Sequence, residues 1–347
     1  MSRPRTIALF LILSAPSLLH GQVLRPEPAR NPPLPRTVAQ SPNLDAMLDY
    51  LAFENAGWRA IGKGFFDTAE HEFLAAIKAV RKLNPVDYKL LARAYSDYAW
   101  TLQLQGRYEE ALPLAKWALS TRETLFTPGS FAVMQSLNQV AALYSDAERP
   151  SEAKPLLVRA IKLQEEATQP SESELARSQF MLGLLLARER RYSEAEAHFL
   201  EALRLTERTR GPSSPQTGDA LANLARTYHE QRKFNLARPL FERALGVLES
   251  SRGPEDRSVA LILGPLARID EIEGNSDSAE ARFLRAIRIW DRLGPPEKAS
   301  RAEAAGDYAE FLERRGRSAE ARKFRPGPDP DPSPESPTGP GRPRVPG

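Results

Sequence analysis

Arg191-Tyr-Ser-Glu-Ala-Glu-Ala-His-Phe-Leu-Glu-Ala-Leu203 decides how the rest of the chain is read. Its skeleton is an aromatic at Tyr192, then Ala195, Phe199, Ala202 and Leu203. Moving 42 residues in either direction finds the same skeleton. The Ala195 slot reads Ala69, Ala111, Ala153, Ala195, Ala237, Ala279 and Ala321, without exception. The Ala202 slot reads Ala76, Ala118, Ala160, Ala202, Ala244 and Ala286, and a large aliphatic residue follows each time. A fixed period in this range marks a repeat architecture in which neighbouring units bury one another's apolar faces.

Ala195, Phe199 and Ala202 are spaced i, i+4, i+7, so they share one face of a helix. Small residues allow a second helix to approach closely, and the large ones fill the groove between them. The partner stripe lies about a dozen residues upstream: Gln179, Leu182, Gly183 and Leu186 in this copy, and Leu221, Leu224, Ala225 and Tyr228 in the next. Its third slot is small in all seven copies: Gly57, Ala99, Ala141, Gly183, Ala225, Ala267 and Ala309. Each repeat therefore reads as two antiparallel helices, A and B, crossing at small residues.

This pattern resembles the tetratricopeptide repeat, and within it the 42-residue variant known from kinesin light chains and many bacterial proteins. The resemblance covers roughly Leu44 to Phe324. It implies an all-α fold, a right-handed α-α superhelix (solenoid) of about seven helix pairs. The family's usual final proline is displaced to Pro128, Pro170, Pro212, Pro254 and Pro296, which makes helix B about a turn longer. Proline cannot continue a helix, and the glycines before Pro212 and Pro254 suit a helix C-terminus.

The pairs are expected near 44–84, 87–126, 129–168, 171–210, 213–252, 255–294 and 297–325, the last cut short. Ser151, Ser193, Asn235 and Ser276 or Ser278 stand where a helix N-cap is wanted. Pro113, Pro155 and Pro239 fall early in B helices, where a missing N–H costs little. Gly264-Pro265 lies inside helix A of the sixth pair and should bend or shorten it.

The segments outside the array differ in composition. Residues 1–21 read as a secretory signal of bacterial type: Arg3 and Arg5, a short apolar run from Ile7, and Gly21 before the cut. That run is short of the ~20 residues that span a bilayer. The chain is accordingly expected to be exported, periplasmic or extracellular. Residues 22–43 are expected to be a proline-rich, disordered linker, and residues 326–347 a proline-rich, disordered tail. The formal charge is +3, from 48 Lys and Arg against 45 Asp and Glu, with no long basic run for nucleic acid. The chain has no cysteine, which excludes disulfides, thiol catalysis, cysteine zinc sites and a lipid-anchored cysteine.

No catalytic constellation emerges. His71, His198 and His229 have no zinc spacing, Gly62-Lys63-Gly64 is too short for a phosphate loop, and the glutamates alternate with arginine as solvated helix faces. An enzyme is not expected, nor any cofactor or metal.

What remains is a surface. The resemblance implies that A helices line the concave side, so their residues away from the packing stripe should face a groove. These include Arg93 and Trp100, with Asn138 and Gln139. Further along come Arg177, Phe180, Met181 and Leu184, then Asn223 and Arg226. Trp100, Phe180, Met181 and Leu184 are expected to take apolar side chains of a peptide or protein partner, and Asn138, Gln139, Asn223 and Arg226 to bond its backbone. The family's clamp for a peptide C-terminus, built on Lys and Asn pairs, is not intact. The alternative is a self-associating structural module of the cell envelope.

Overall fold

The computed structural model describes residues 42–325, and every regular element among them is helical. The elements are α1 (Pro42–Ile61), α2 (Phe66–Arg81), α3 (Tyr88–Leu104), α4 (Tyr108–Leu125), α5 (Phe131–Asp146), α6 (Pro150–Glu165) and α7 (Glu172–Arg188). They continue with α8 (Tyr192–Arg210), α9 (Pro215–Glu230), α10 (Phe234–Arg252), α11 (Arg257–Ile272), α12 (Ser276–Leu293), a 3-10 turn (Pro295–Glu297), α13 (Lys298–Arg314) and α14 (Ser318–Ala321). Odd-numbered helices are the A helices and even-numbered ones the B helices. The expected signal, the tail and residues 22–41 of the linker lie outside the described residues. Pro42 already opens α1, so the array starts slightly earlier than expected; proline is well tolerated at a first helical position.

The chain divides into two compact units, Met1–Leu266 and Ala267–Gly347. In the first, each A helix packs along its own B helix and each B helix against the next A helix, while α3, α5, α7 and α9 also touch one another in sequence. In the second, Ala267, Ala279, Phe283, Ala309 and Phe311 join the truncated α14 through Ala321 in one apolar cluster. All seven alanines of the founding slot have zero exposure, from Ala69 to Ala321. At two of the small A-helix slots the approach is close enough to require glycine. A Cβ on Gly57 would stand 2.7 Å from the Phe73 ring, and one on Gly183 2.9 Å from the Phe199 ring.

The A-to-B turn explains itself in the same register. Gly64, Gly106, Glu148, Arg190, Arg232, Gly274 and Gly316 follow one another at the repeat interval, and all have positive φ, from 57° to 83°. The next residue donates its backbone N–H to the carbonyl five positions back, as in Arg107 to Leu102 and Arg191 to Leu186, both at 2.9 Å. This is the left-handed helix stop that glycine adopts without strain and that Glu148, Arg190 and Arg232 adopt against their Cβ.

Two local expectations are corrected. Ser151, Ser193, Asn235, Ser276 and Ser278 do not cap the B helices. The cap position is Arg107, Arg149, Arg191, Lys233 or Asn275, with no side-chain cap bond, because each helix starts earlier, at the residue just after this one. Three of these arginines instead bond the glutamate three residues on, Arg107 to Glu110, Arg149 to Glu152 and Arg191 to Glu194. Nor does Pro265 shorten its helix: α11 keeps its full span. Proline removes the N–H that would reach the Leu261 carbonyl. The buried Arg226 of α9 donates Nη2 to that carbonyl at 3.3 Å.

Candidate functional site

Four consecutive A helices, α3, α5, α7 and α9, together with the end of α8 and Leu157 of α6, line an open cavity of about 240 Å³ within the first unit. Its centre is apolar: Trp100, Ala142, Phe180, Met181, Leu184 and Leu185. Phe180 is half-buried and meets the core Phe199 edge-on, ring centroids 5.6 Å apart. Trp100 is half-buried too, resting on the cluster of Ala60, Ile61, Ala69 and Phe73. Leu184 is 8% exposed, so it serves the core and the cavity floor together.

The polar groups sit toward the two ends. At the end formed by the start of α7 lie Glu174, Arg177, Thr206, Thr209, Arg210, Gln216 and Asp219. At the other lie Gln103, Ser145, Asp146 and Arg188. Asp219 forms two bonds with Arg252, at 2.7 and 2.6 Å; burial pushes its carboxyl up, against the pull of that guanidinium. Asp146 accepts from Gln103 Nε2 at 2.7 Å, and burial likewise pushes it up.

Seven of the ten expected groove residues line this cavity: Trp100, Asn138, Gln139, Arg177, Phe180, Met181 and Leu184. The assigned backbone-bonding roles are corrected in part. Asn138 has zero exposure and donates Nδ2 to the Glu174 carbonyl and carboxylate at 3.0 and 2.9 Å while accepting from Ser178. Gln139 donates Nε2 to the Ser96 carbonyl at 2.7 Å. Asn223 is fully buried and bonds the Asp219 carbonyl within its own helix. Arg226, 1% exposed, is bonded to the Leu261 carbonyl of α11. Buried at these positions and bonded to their own or adjacent A helices, these side chains are not presented to a ligand backbone. Arg93 does not reach the cavity; it is paired with Glu54 at 2.6 Å.

Glu174, Thr206, Thr209, Arg210 and Gln216 join the site without having been expected there. A signal for two of them is present in the displaced proline: the extra turn of helix B carries Thr209 and Arg210 to the cavity rim.

A second polar cluster lies under α1 and α3. Tyr50 donates to Glu54 at 3.0 Å, Arg93 pairs with Glu54, and Asp97 is buried beside them. Arg122 approaches from α4, bonded to Ser136 Oγ at 2.7 Å. Burial, reinforced by the charge of Glu54, pushes Asp97 up to about 7.

Among the described residues no group of His, Cys, Asp and Glu is arranged to hold a metal ion, and no helix is long and apolar enough to cross a membrane. The histidines stay apart: His198 shares a hydrogen bond with Gln179, and His229 stands edge-on to Phe234.

Residues 60–124 and 174–250 match one family model for the tetratricopeptide repeat, and residues 133–170 match a second. The chain belongs to the tetratricopeptide repeat family, whose arrays are in general interaction modules for proteins rather than catalysts. Among solved structures it is similar to the apo form of the quorum sensor NprR from B. thuringiensis: TM-score 0.64, 14% identity, 80% of this chain and 75% of that one. It is similar also to PilF of Pseudomonas aeruginosa: TM-score 0.55, 17% identity, 78% of this chain and 99% of that one. A third is a Rap protein complexed with Competence and Sporulation Factor: TM-score 0.54, 16% identity, 80% and 78% coverage. At these identities the likeness is one of fold. No curated protein matches the chain.

Proposed function

We propose that the protein is an exported, non-catalytic scaffold that holds an extended segment of a protein or peptide across α3, α5, α7 and α9. The observation that carries this reading is the cavity's make-up: an apolar centre of Trp100, Phe180, Met181 and Leu184 between polar ends. Large side chains left partly open in a concavity are characteristic of a binding surface. The complex between a Rap protein and Competence and Sporulation Factor lends support from a protein of the same fold. Export rests on the basic-then-apolar N-terminal segment, Arg3 to Leu19.

The test is selection of random peptides on the immobilised mature chain. Selected peptides should bind the wild type and lose binding to Met181→Ser and to Ala142→Trp, which fills the cavity, while both variants keep the wild-type melting curve. Equal binding to those variants refutes the groove. For export, N-terminal sequencing of the protein from fractionated cells should begin at Gln22; an intact Met1 in the cytoplasm refutes it.

A further inference from the structure

We propose that this groove reads two negative charges about five residues apart on one extended ligand, with a short apolar stretch between them. The inference rests on the groove reading and adds the chemistry of what is bound. Arginine is almost everywhere spoken for in the first unit: Arg208 pairs with Glu172, Arg252 with Asp219, and Arg122 with Ser136. Apart from Arg232, at an A-to-B turn, the exceptions line the cavity. Arg177 and Arg210 form no ion pair or hydrogen bond with any described residue. Arg188 forms a single hydrogen bond, to Ser145 Oγ at 3.4 Å, with the charges of Asp146 and Glu148 nearby.

Their placement is ordered. Arg177, Phe180, Met181, Leu184 and Arg188 follow i, i+3, i+4, i+7, i+11, one continuous stripe of α7. At 1.5 Å per residue the two ends of that stripe lie about 16 Å apart. An extended chain advances about 3.3 Å per residue, so about five residues cover the distance. The Arg177 end is doubled: α8 runs antiparallel to α7, as the Arg208–Glu172 pair shows, and this brings Arg210 to the same end. Two guanidiniums there can grip a carboxylate from both sides. The carboxylates that share the cavity already have donors: Glu174 the Asn138 amide, Asp146 the Gln103 amide and Asp219 the Arg252 guanidinium. The arginines are thus the charged groups of the cavity with bonding capacity to spare, beside neutral ones such as Gln103 Oε1. The occupant this arrangement fits is an acidic peptide segment with large apolar residues between its acids.

The experiment uses the mature full-length chain and fluorescein-labelled peptides with a Leu-Phe-Leu-Leu centre, read by anisotropy. Four peptides differ only in the flanks: two Asp five residues apart, two Asn, two Lys, or two adjacent Asp on one side. The spaced Asp peptide should bind about tenfold tighter than the Asn peptide. That advantage should shrink with added salt and disappear in the Arg177→Gln, Arg188→Gln double variant, which should weaken the spaced Asp peptide far more than the Asn peptide. Arg→Lys at both positions should restore part of it. Equal binding of the Asp and Asn peptides, or tighter binding of the Lys or adjacent-Asp peptide, overturns the two-charge reading and leaves the groove standing. If none of the four binds, and Met181→Ser changes nothing, the groove reading falls with it.

Discussion

Replacing Arg226 by methionine should cost stability, and the cost should depend on Pro265 in another helix. Methionine keeps the aliphatic bulk of the buried arginine but removes the donor. The Leu261 carbonyl then loses the Nη2 bond that substitutes for the N–H Pro265 lacks. Hydrogen bonds from charged donors are worth about 1.5 to 3 kcal/mol; at 3.3 Å the lower half of that range applies, so the expected loss is about 1.5 to 2 kcal/mol. In a Pro265→Ala background the restored backbone N–H of that position can reach Leu261 in the ordinary helical way. Arg226→Met should there cost about 0.5 kcal/mol, which gives a coupling of at least about 1 kcal/mol. Other interactions of Arg226 that do not involve residue 265 cancel in the cycle. Helical arrays unfold in parts, so the readout is native-state hydrogen exchange of α11 amides, supported by urea curves. Additivity of the two substitutions within about 0.3 to 0.5 kcal/mol would refute the account.

Two further outcomes follow from burial and sterics. Burial pushes Asp97 up to about 7, above its unfolded value, so the folded state holds a proton that the unfolded state has released. Its ionisation therefore weakens the fold as pH rises from about 4 to about 7, and the penalty is complete above that window. Asp97→Asn should raise stability most at pH 8 and least at pH 4, measured by paired urea titrations; a constant difference across the range contradicts the assignment. Gly183→Ala places a methyl group 2.9 Å from the Phe199 ring and should destabilise by about 1 to 3 kcal/mol despite alanine's better helix propensity. Phe199→Leu should recover part of that loss in the double variant, as read from thermal melts.

The fold was legible because one constraint recurs at a constant interval. Ala195 and its six equivalents sit fully buried at a helix crossing, and a repeated packing demand leaves a repeated letter. The succession of helix pairs followed from that interval together with the prolines and turn slots. The capping serines misled because the left-handed turn sets where helix B begins, and Arg191 and its equivalents stand first. The site was only half legible. Met181 and Asn223 occupy equivalent slots in successive repeats, yet Met181 is half-open and Asn223 fully buried. Periodicity gives the direction a slot faces. It does not say whether the neighbouring A helix closes over it, and that depends on one-off pairings such as Asn138 with Glu174 or Arg226 with Leu261.

The cavity draws on four neighbouring A helices, whereas each alanine crossing needs only its own pair. A genetic loss or duplication of one whole unit would therefore leave each remaining alanine crossing whole, since each is closed within its own pair. The recognition surface has no such tolerance: Trp100, Phe180 and Arg210 each occur once, and excising any one unit between them splices strangers together. Architecture here is copied text, while recognition is a single sentence written across several copies.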